Sequence, residues 1–549
     1  MNCLRLSKMA ALMVLCAACG FVSLTARAAQ TERHPLEIAA GEAEEEKELF
    51  EAIARSYRDS LMPVELVEPA WKARIYASQP QKRIVARLIR LAELVAYDDP
   101  NVYVALVDAD GKAIEKKTLS RPAADAGHTG DWGPQDVIFD ASQLAPGDYF
   151  VEFYAPWDSH NREGSLRAFK QVLKVTVLPP AKHEVYFDAE GVCMHDGKPF
   201  FPIGLFHVGD NLVMLNEDLK KMGMPPMTVE DVLRRVSQNG FNTAVVCGDD
   251  ITEPLKLAPK YGLKVVQAAW KGDDPLRQWV MQHREDPSLL AWYITDEPLA
   301  IRRMQAAARQ YLIVRRADLY HPVTISQAAA NLWETGHMAD DLMFFWIYPK
   351  ISNRWYAKMP WWKDDHKSFL RLITRYCEQV YDTLEPKEPY WFISQAYEGG
   401  SAIRPTAAEV RHQTYQAIVA GARGVFGYSY LSGEVTDGLH WWIEKDPQLW
   451  EGYGKLNAEL HELYPMLIAH GGKIGQRMPG SPDIRYFERE HDGRLYVIAV
   501  NIDERVQDLE ISMPGRCRAK VKWEDRTLAI EGRLVDRLEP LAVRVYEVQ

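Results

Sequence analysis

Two short stretches end apolar runs on acids. In AWYITDEPLA, residues 291–300, the run reaches Ile294 and stops at Asp296-Glu297-Pro298; in PYWFISQAYE a second run ends on Gln395-Ala396-Tyr397-Glu398. A strand that is buried in its middle and acidic at its end delivers a carboxyl group to a surface. Two such groups, Glu297 and Glu398, facing each other over a cavity suit cleavage of a glycosidic bond: one protonates the leaving oxygen, the other attacks the anomeric carbon. A plainer reading stands beside this one. Asp-Glu-Pro is also a good helix start, with a polar cap, acids favoured by the helix dipole and proline at the first helical position. Glu-Gly-Gly-Ser after Tyr397 has loop chemistry. Thr406 and Glu409 form a capping box, which makes Glu409 structural.

The elements around these stretches decide where the acids sit. From Phe200 onward strand-like runs alternate with helical ones: FFPIGLF, FNTAVVCG, LKVVQAAW, SLLAWYI, PVTISQAA, DLMFFWIYP, PYWFISQAYE and RGVFGYSY each precede a helical or connecting segment. These strands lack polar alternation, as strands covered on both faces should. Gly240, Gly262 and Gly424 fall at helix C-termini or in the adjoining turns. Eight alternating units predict an α/β chain closed into a (β/α)8 TIM barrel over residues 181–470. Before it, from Val64 to Leu178, short alternating runs with an Asp110-Gly111 turn predict a β-sandwich, ended by the stiff pair Pro179-Pro180. Residues 29–180 thus comprise an acidic lead-in helix and this N-terminal sandwich. Residues 471–549 return to short strands, with a turn at His491-Asp492-Gly493, and are expected to form a small C-terminal β-domain.

In such a barrel the C-terminal strand ends carry the chemistry. A Glu before Pro at the fourth strand end, a second Glu at the seventh and flanking β-sandwiches resemble clan-A glycoside hydrolases. The closest texture is that of exported bacterial barrel proteins with a Tyr-x-x-Asp-Glu-Pro signature. The resemblance covers about residues 199–470. It implies that Glu297 is the general acid/base and Glu398 the nucleophile, with retention of configuration. One position departs from the pattern: the clan has Asn before the acid/base to hold the sugar 2-hydroxyl, and here Asp296 stands. Its charge would raise the pKa of Glu297, which suits an acid, and it leaves room for a different substrate. The resemblance also implies that Tyr348, after the sixth strand, hydrogen-bonds the nucleophile.

Other strand ends supply further candidate substrate-binding residues. His207 and Asp210 follow the first strand, and Asp249 and Asp250 the second. Trp270 ends the third, Trp346 and Tyr348 the sixth, Gln395 the seventh, and Tyr428 and Tyr430 the eighth. Trp270 and Trp441 are candidate stacking platforms, and packing is the alternative for each. Alternation puts Trp346 with Tyr348, and Tyr428 with Tyr430, on shared sides. The rival function class is a non-catalytic carbohydrate-binding or scaffold protein that keeps the barrel with a degenerate site.

Composition narrows the field. The net charge of −11, without a Lys/Arg run, argues against a nucleic-acid partner. No HExxH, P-loop, GxGxxG or GxSxG motif is present, and no cofactor or metal is expected. The histidines are scattered, so a metal site would have to be assembled from distant strand ends. Arg5 and Lys8, the apolar stretch Met9–Leu24 and Ala26-Arg27-Ala28 form a signal peptide over residues 1–28. Export to the periplasm or beyond is expected, with cleavage after Ala28. Acylation at Cys19 is the weaker reading, because Cys16 stands where a branched aliphatic residue is usual. No later run is long enough to span a membrane. Cys193, Cys247, Cys377 and Cys517 remain in the mature chain without CxxC spacing, which is no disulfide framework and no zinc motif.

Overall fold

The computed structural model describes residues 64–88, 102–119, 135–157, 167–248, 252–298, 301–328, 340–350, 371–384, 388–400 and 402–549. The expected signal peptide and lead-in helix, and Asp249 and Asp250, lie outside these residues.

The N-terminal domain is a two-sheet sandwich. Val64–Glu68, Arg83–Leu88 and Gln135–Asp140 form one sheet; Arg74–Ile75, Tyr103–Val107, Ala113–Thr118, Gly147–Trp157 and Arg167–Val177 form the other. Alternation builds its core. Val137 and Phe139 turn inward between exposed neighbours, to meet Ile84, Leu106, Val151 and Phe153. The Asp110-Gly111 turn joins two strands of the second sheet, with Gly111 at φ +79°.

The centre is a closed eight-stranded parallel barrel of Ile203–Phe206, Thr243–Val246, Lys264–Ala268, Leu289–Asp296, Val323–Ala328, Leu342–Trp346, Tyr390–Gln395 and Val425–Tyr428. Aromatic rings fill it: Phe206, Tyr293, Phe344, Trp391 and Phe426 meet edge-to-face or tilted, as ring quadrupoles prefer. Two glycines make room. A Cβ at Gly204 would lie 2.2 Å from the Phe426 ring, and one at Gly424 would lie 2.6 Å from Trp391. Gly424 therefore serves packing in the turn, while Gly240 and Gly262 take the left-handed backbone after their helices.

A three-stranded antiparallel sheet, Val185–Phe187, Cys193–His195 and Lys198–Phe200, plugs the end of the barrel where the strands begin. Its Phe187 packs on Trp391 from inside the barrel and on Trp71 from the N-terminal domain. Sandwich, plug and barrel interior thus share one apolar cluster.

The C-terminal domain is a six-stranded antiparallel sheet in the order Lys473–Met478, Ser481–His491, Arg494–Asn501, Val543–Val548, Gln507–Val521 and Arg526–Leu538. Ile498 and Val500 face the barrel helices, and Val497 and Ala499 face the domain's own core. The strand Gln507–Val521 runs through Met513-Pro514-Gly515 with a register shift between Ser512 and Arg516. Proline is tolerated at such an irregularity.

Candidate active site

The fourth strand positions the acids in a way its sequence hides. Trp292 and Ile294 belong to the outer core and Tyr293 to the barrel interior. Regular alternation would turn Asp296 outward with them. The pairing with the fifth strand slips between Tyr293 and Thr295, so that Asp296 stands opposite Ser326. This extra residue re-aims the side chain, as β-bulges do. Asp296 Oδ1 then accepts hydrogen bonds from Tyr293 Oη (2.7 Å) and Ser326 Oγ (2.6 Å).

Glu297 follows at φ +43°, a left-handed conformation uncommon for a non-glycine residue. Its amide donates to the Ser326 carbonyl, 3.1 Å. Burial first, and the Asp296 charge second, push its carboxyl up to about 7, against the opposing pull of Arg303. The next helix is described from Ile301 to Ala317, and Glu297 and Pro298 are not helical, so Pro298 does not take the first helical position that the helix-start reading gave it.

Tyrosines surround this pair. Tyr348 stacks on Trp346 (4.4 Å, 25°), which confirms their shared side, and meets the edge of Tyr397 at 5.3 Å. Tyr428 meets Tyr397 at 5.3 Å and His207 at 5.5 Å. Burial raises the hydroxyl pKa of all three tyrosines. Glu297 adds to this at Tyr348 and Tyr397, and Asp296 at Tyr348 and Tyr428. Trp270 packs edge-on against Tyr293 at 5.4 Å with 45% of its surface exposed, which leaves a ring face available for stacking.

Glu398 stands apart. Arg404 holds its carboxylate through Nε (2.7 Å) and Nη2, and Arg404 also reaches Asp446 at 3.4 Å. Among the described residues, Asp296 and Arg303 are the charges that act on the Glu297 carboxyl, and Glu398 is not one of them. Parity explains this. Trp391 and Ile393 face the interior, while Ser394 and Ala396 face the helix layer, so Tyr397, and not Glu398, carries the inward parity of the seventh strand. Strict counting along that strand would have found Tyr397, and counting along the second, where Val245 faces inward, would have found Cys247.

Three expected substrate contacts are structural. Gln395 is fully buried; it accepts from Lys350 N and donates to the carbonyls of Lys350 and Ile403, tying two loops together. Tyr430 is buried in the helix layer with its hydroxyl on Glu444 Oε1 at 2.8 Å. The eighth strand stops at Tyr428, so the alternation that paired the two tyrosines does not extend to Tyr430. Trp441 is 1% exposed and donates to the Ser429 carbonyl, so neither ring face is open to a sugar. The capping-box role of Glu409 is present as expected. His207 is half-buried, its Nδ1 3.0 Å from Asp210 Oδ2.

One further carboxylate was not anticipated. A hairpin, Leu431–Thr436 and Leu439–Trp442, follows the eighth strand and brings Glu434 against the seventh loop. A Cβ at Gly399 would lie 2.4 Å from the Glu434 Cβ. The Glu434 charge reaches Tyr397 and Tyr428.

No protein-family model matches the sequence, and no curated protein matches it. Among solved structures, the chain is similar to a protein described as a glycoside hydrolase (14% identity, TM-score 0.48, 67% of this chain and 97% of that one). It is also similar to a glycoside hydrolase family 5 protein from Bacteroides vulgatus (14%, TM-score 0.46, 67% and 94%). A third similar structure is a cyclomaltodextrinase (11%, TM-score 0.45, 87% and 98%).

Proposed function

We propose that the protein is a glycoside hydrolase acting on an exported-compartment oligo- or polysaccharide, with Glu297 as its proton donor. The observation that carries this reading is the Glu297 carboxyl. It stands at the C-terminal end of a barrel strand, half-buried among tyrosines, with its pKa raised to about 7. Such a group keeps a proton near neutral pH and can give it to the leaving glycosidic oxygen as the C–O bond breaks. Water then supplies the new hydroxyl at the anomeric carbon and returns a proton.

Two carboxylates compete for the second role. Retention through Glu398 requires it to leave Arg404 and come within about 5–5.5 Å of Glu297. In support of Asp296, its side chain is exposed and, among the described residues, is held at Oδ1 alone. There it can steady the positive charge that grows at the anomeric carbon. It can also orient a substituent of the substrate that serves as the nucleophile, a route some glycosidases take.

A panel of aryl glycosides, including 2-acetamido sugars, tests the reading. Glu297→Ala should spare activated aryl substrates far more than natural ones. Asp296→Asn should lower kcat by roughly 100-fold or more if Asp296 acts on the reacting centre. Glu398→Ala should leave turnover largely intact. Loss of turnover in Glu398→Ala, rescued by azide as a glycosyl azide, would return the nucleophile to Glu398. Sugar binding without turnover on any substrate would identify a carbohydrate-binding protein instead.

A further inference from the structure

The scattered histidines left any metal site to be assembled across strand ends, and the first two barrel strands bring three candidate ligands together. His207 and Asp210 follow the first strand, and Cys247 follows the second. One ring nitrogen, one carboxylate oxygen and Sγ from these three residues all lie within 4.8 Å of one another. The set is built rather than incidental. Asp210 has a wholly buried side chain. Its Oδ2 accepts from the Cys247 amide (3.0 Å) and lies 3.0 Å from His207 Nδ1, which locks the two loops together. Its Oδ1 is also buried and has no hydrogen-bond partner among the described residues. An orphaned carboxylate oxygen in a buried place is costly, and a cation is one remedy. His207 and Asn211 adopt left-handed backbone, at φ +57° and +55°, on either side of Asp210. A Cβ at Gly248 would come 3.0 Å from the Asp210 Cβ, so the second loop is bare where the first presses on it.

We infer that His207, Asp210 and Cys247 form a binding site for a divalent transition ion of the zinc class. One nitrogen, one oxygen and one sulfur donor suit that ion, and three protein ligands leave a fourth position open, as catalytic zinc sites do. Bonds of about 2.0–2.3 Å put tetrahedral ligand atoms roughly 3.3–3.8 Å apart. The three side chains therefore draw in by about 1 Å when the ion binds, which rotation of His207 and Cys247 supplies. The Asp296 charge is felt at Cys247, so the ion sits in the same barrel mouth as the proposed acids. The site does not rest on the hydrolase reading.

The test uses the mature chain, stripped by chelator and dialysed against Zn2+. Roughly one zinc per chain is expected by elemental analysis. Co2+ in its place should show the near-ultraviolet charge-transfer band of a thiolate ligand. Cys247→Ser should abolish that band, and Asp210→Asn should weaken zinc binding by roughly 10-fold or more. Wild-type protein guards against a variant that misfolds: zinc should protect Cys247, and not Cys517, from iodoacetamide in peptide mapping. Substoichiometric zinc, a cobalt adduct without the thiolate band, or equal alkylation of Cys247 with and without zinc would each overturn the assignment.

Discussion

Glu297 shows what one residue contributes and costs. Its carboxyl has an ordinary pKa in the unfolded chain and one of about 7 when folded, so the folded state binds more protons between roughly pH 4.5 and 7. Stability therefore falls as pH rises through that window, and above it the folded protein carries a poorly solvated charge beside Asp296. Glu297→Gln removes that charge. We expect it to raise stability at pH 8 by about 1–2 kcal/mol once solvent screening at the mouth is allowed for, with little gain at pH 4. Urea unfolding at the two pH values checks this. Equal effects at both would mean that the carboxyl is not perturbed. Activity on unactivated substrates should fall as pH rises through about 7, the deprotonation limb of a general acid. That limb should vanish for substrates whose leaving group needs no proton.

Elements explain which parts of the site could be read in advance. The barrel was legible because eight apolar runs alternated with helical ones, and that texture is forced by strands buried on both faces. The fourth strand end was legible as a place where the chain leaves the barrel core, because Asp296 and Glu297 end the buried run Trp292-Tyr293-Ile294. What stayed hidden was direction. The slip between Tyr293 and Thr295 depends on pairing with the fifth strand, and no local pattern announces it. Gln395, Tyr430 and Trp441 have the right chemistry at the right strand ends, and only their neighbours show that loops and helices claim them. The slip makes a prediction of its own. Deleting Ile294, the residue the slip leaves unpaired, should give regular pairing that keeps Asp296 opposite Ser326. Activity should then survive with far-ultraviolet circular dichroism unchanged, at a cost in thermal stability from the lost buried side chain. Loss of activity in a folded variant would show that the slip itself aims the site. Packing makes another: Gly204→Ala should destabilise the fold by about 1–3 kcal/mol, because the Phe426 ring has nowhere to retreat among Phe206 and Phe344. Thermal unfolding measures that loss.

At the scale of the whole molecule, one buried carboxylate ties the sandwich to the barrel. Asp341, just before the sixth strand, accepts from Tyr311 Oη (2.7 Å) and the Val323 amide (2.9 Å). It also faces Arg315 at 3.3 Å and Lys72 of the N-terminal domain at 3.1 Å. Asp341→Asn would leave two cations beside a neutral amide. The expected loss is about 3–5 kcal/mol, the cost of breaking a buried ion pair. It should appear in calorimetry as earlier unfolding in which the sandwich separates from the barrel. The mature N-terminus belongs to this scale too. Protein recovered from its native host should begin near Ala29 by intact mass, and a retained Met1 or an acylated Cys19 would refute soluble export.

The plug beneath the barrel bears on how this chain can be divided. Pro179-Pro180 reads as a seam, yet Tyr320 Oη donates to the Pro179 carbonyl, Tyr76 Oη donates to the Leu319 carbonyl, and Trp71 covers Phe187. Starting the polypeptide at Ala181 would bare the underside of the plug, with Tyr186 and Phe187 losing the rings of Trp71 and Tyr76 that cover them. The barrel is therefore not a transferable module. Recombination that exchanges front and back parts across the two prolines should give sticky, dye-binding products, unless Trp71 and Tyr76 travel with the barrel they seal.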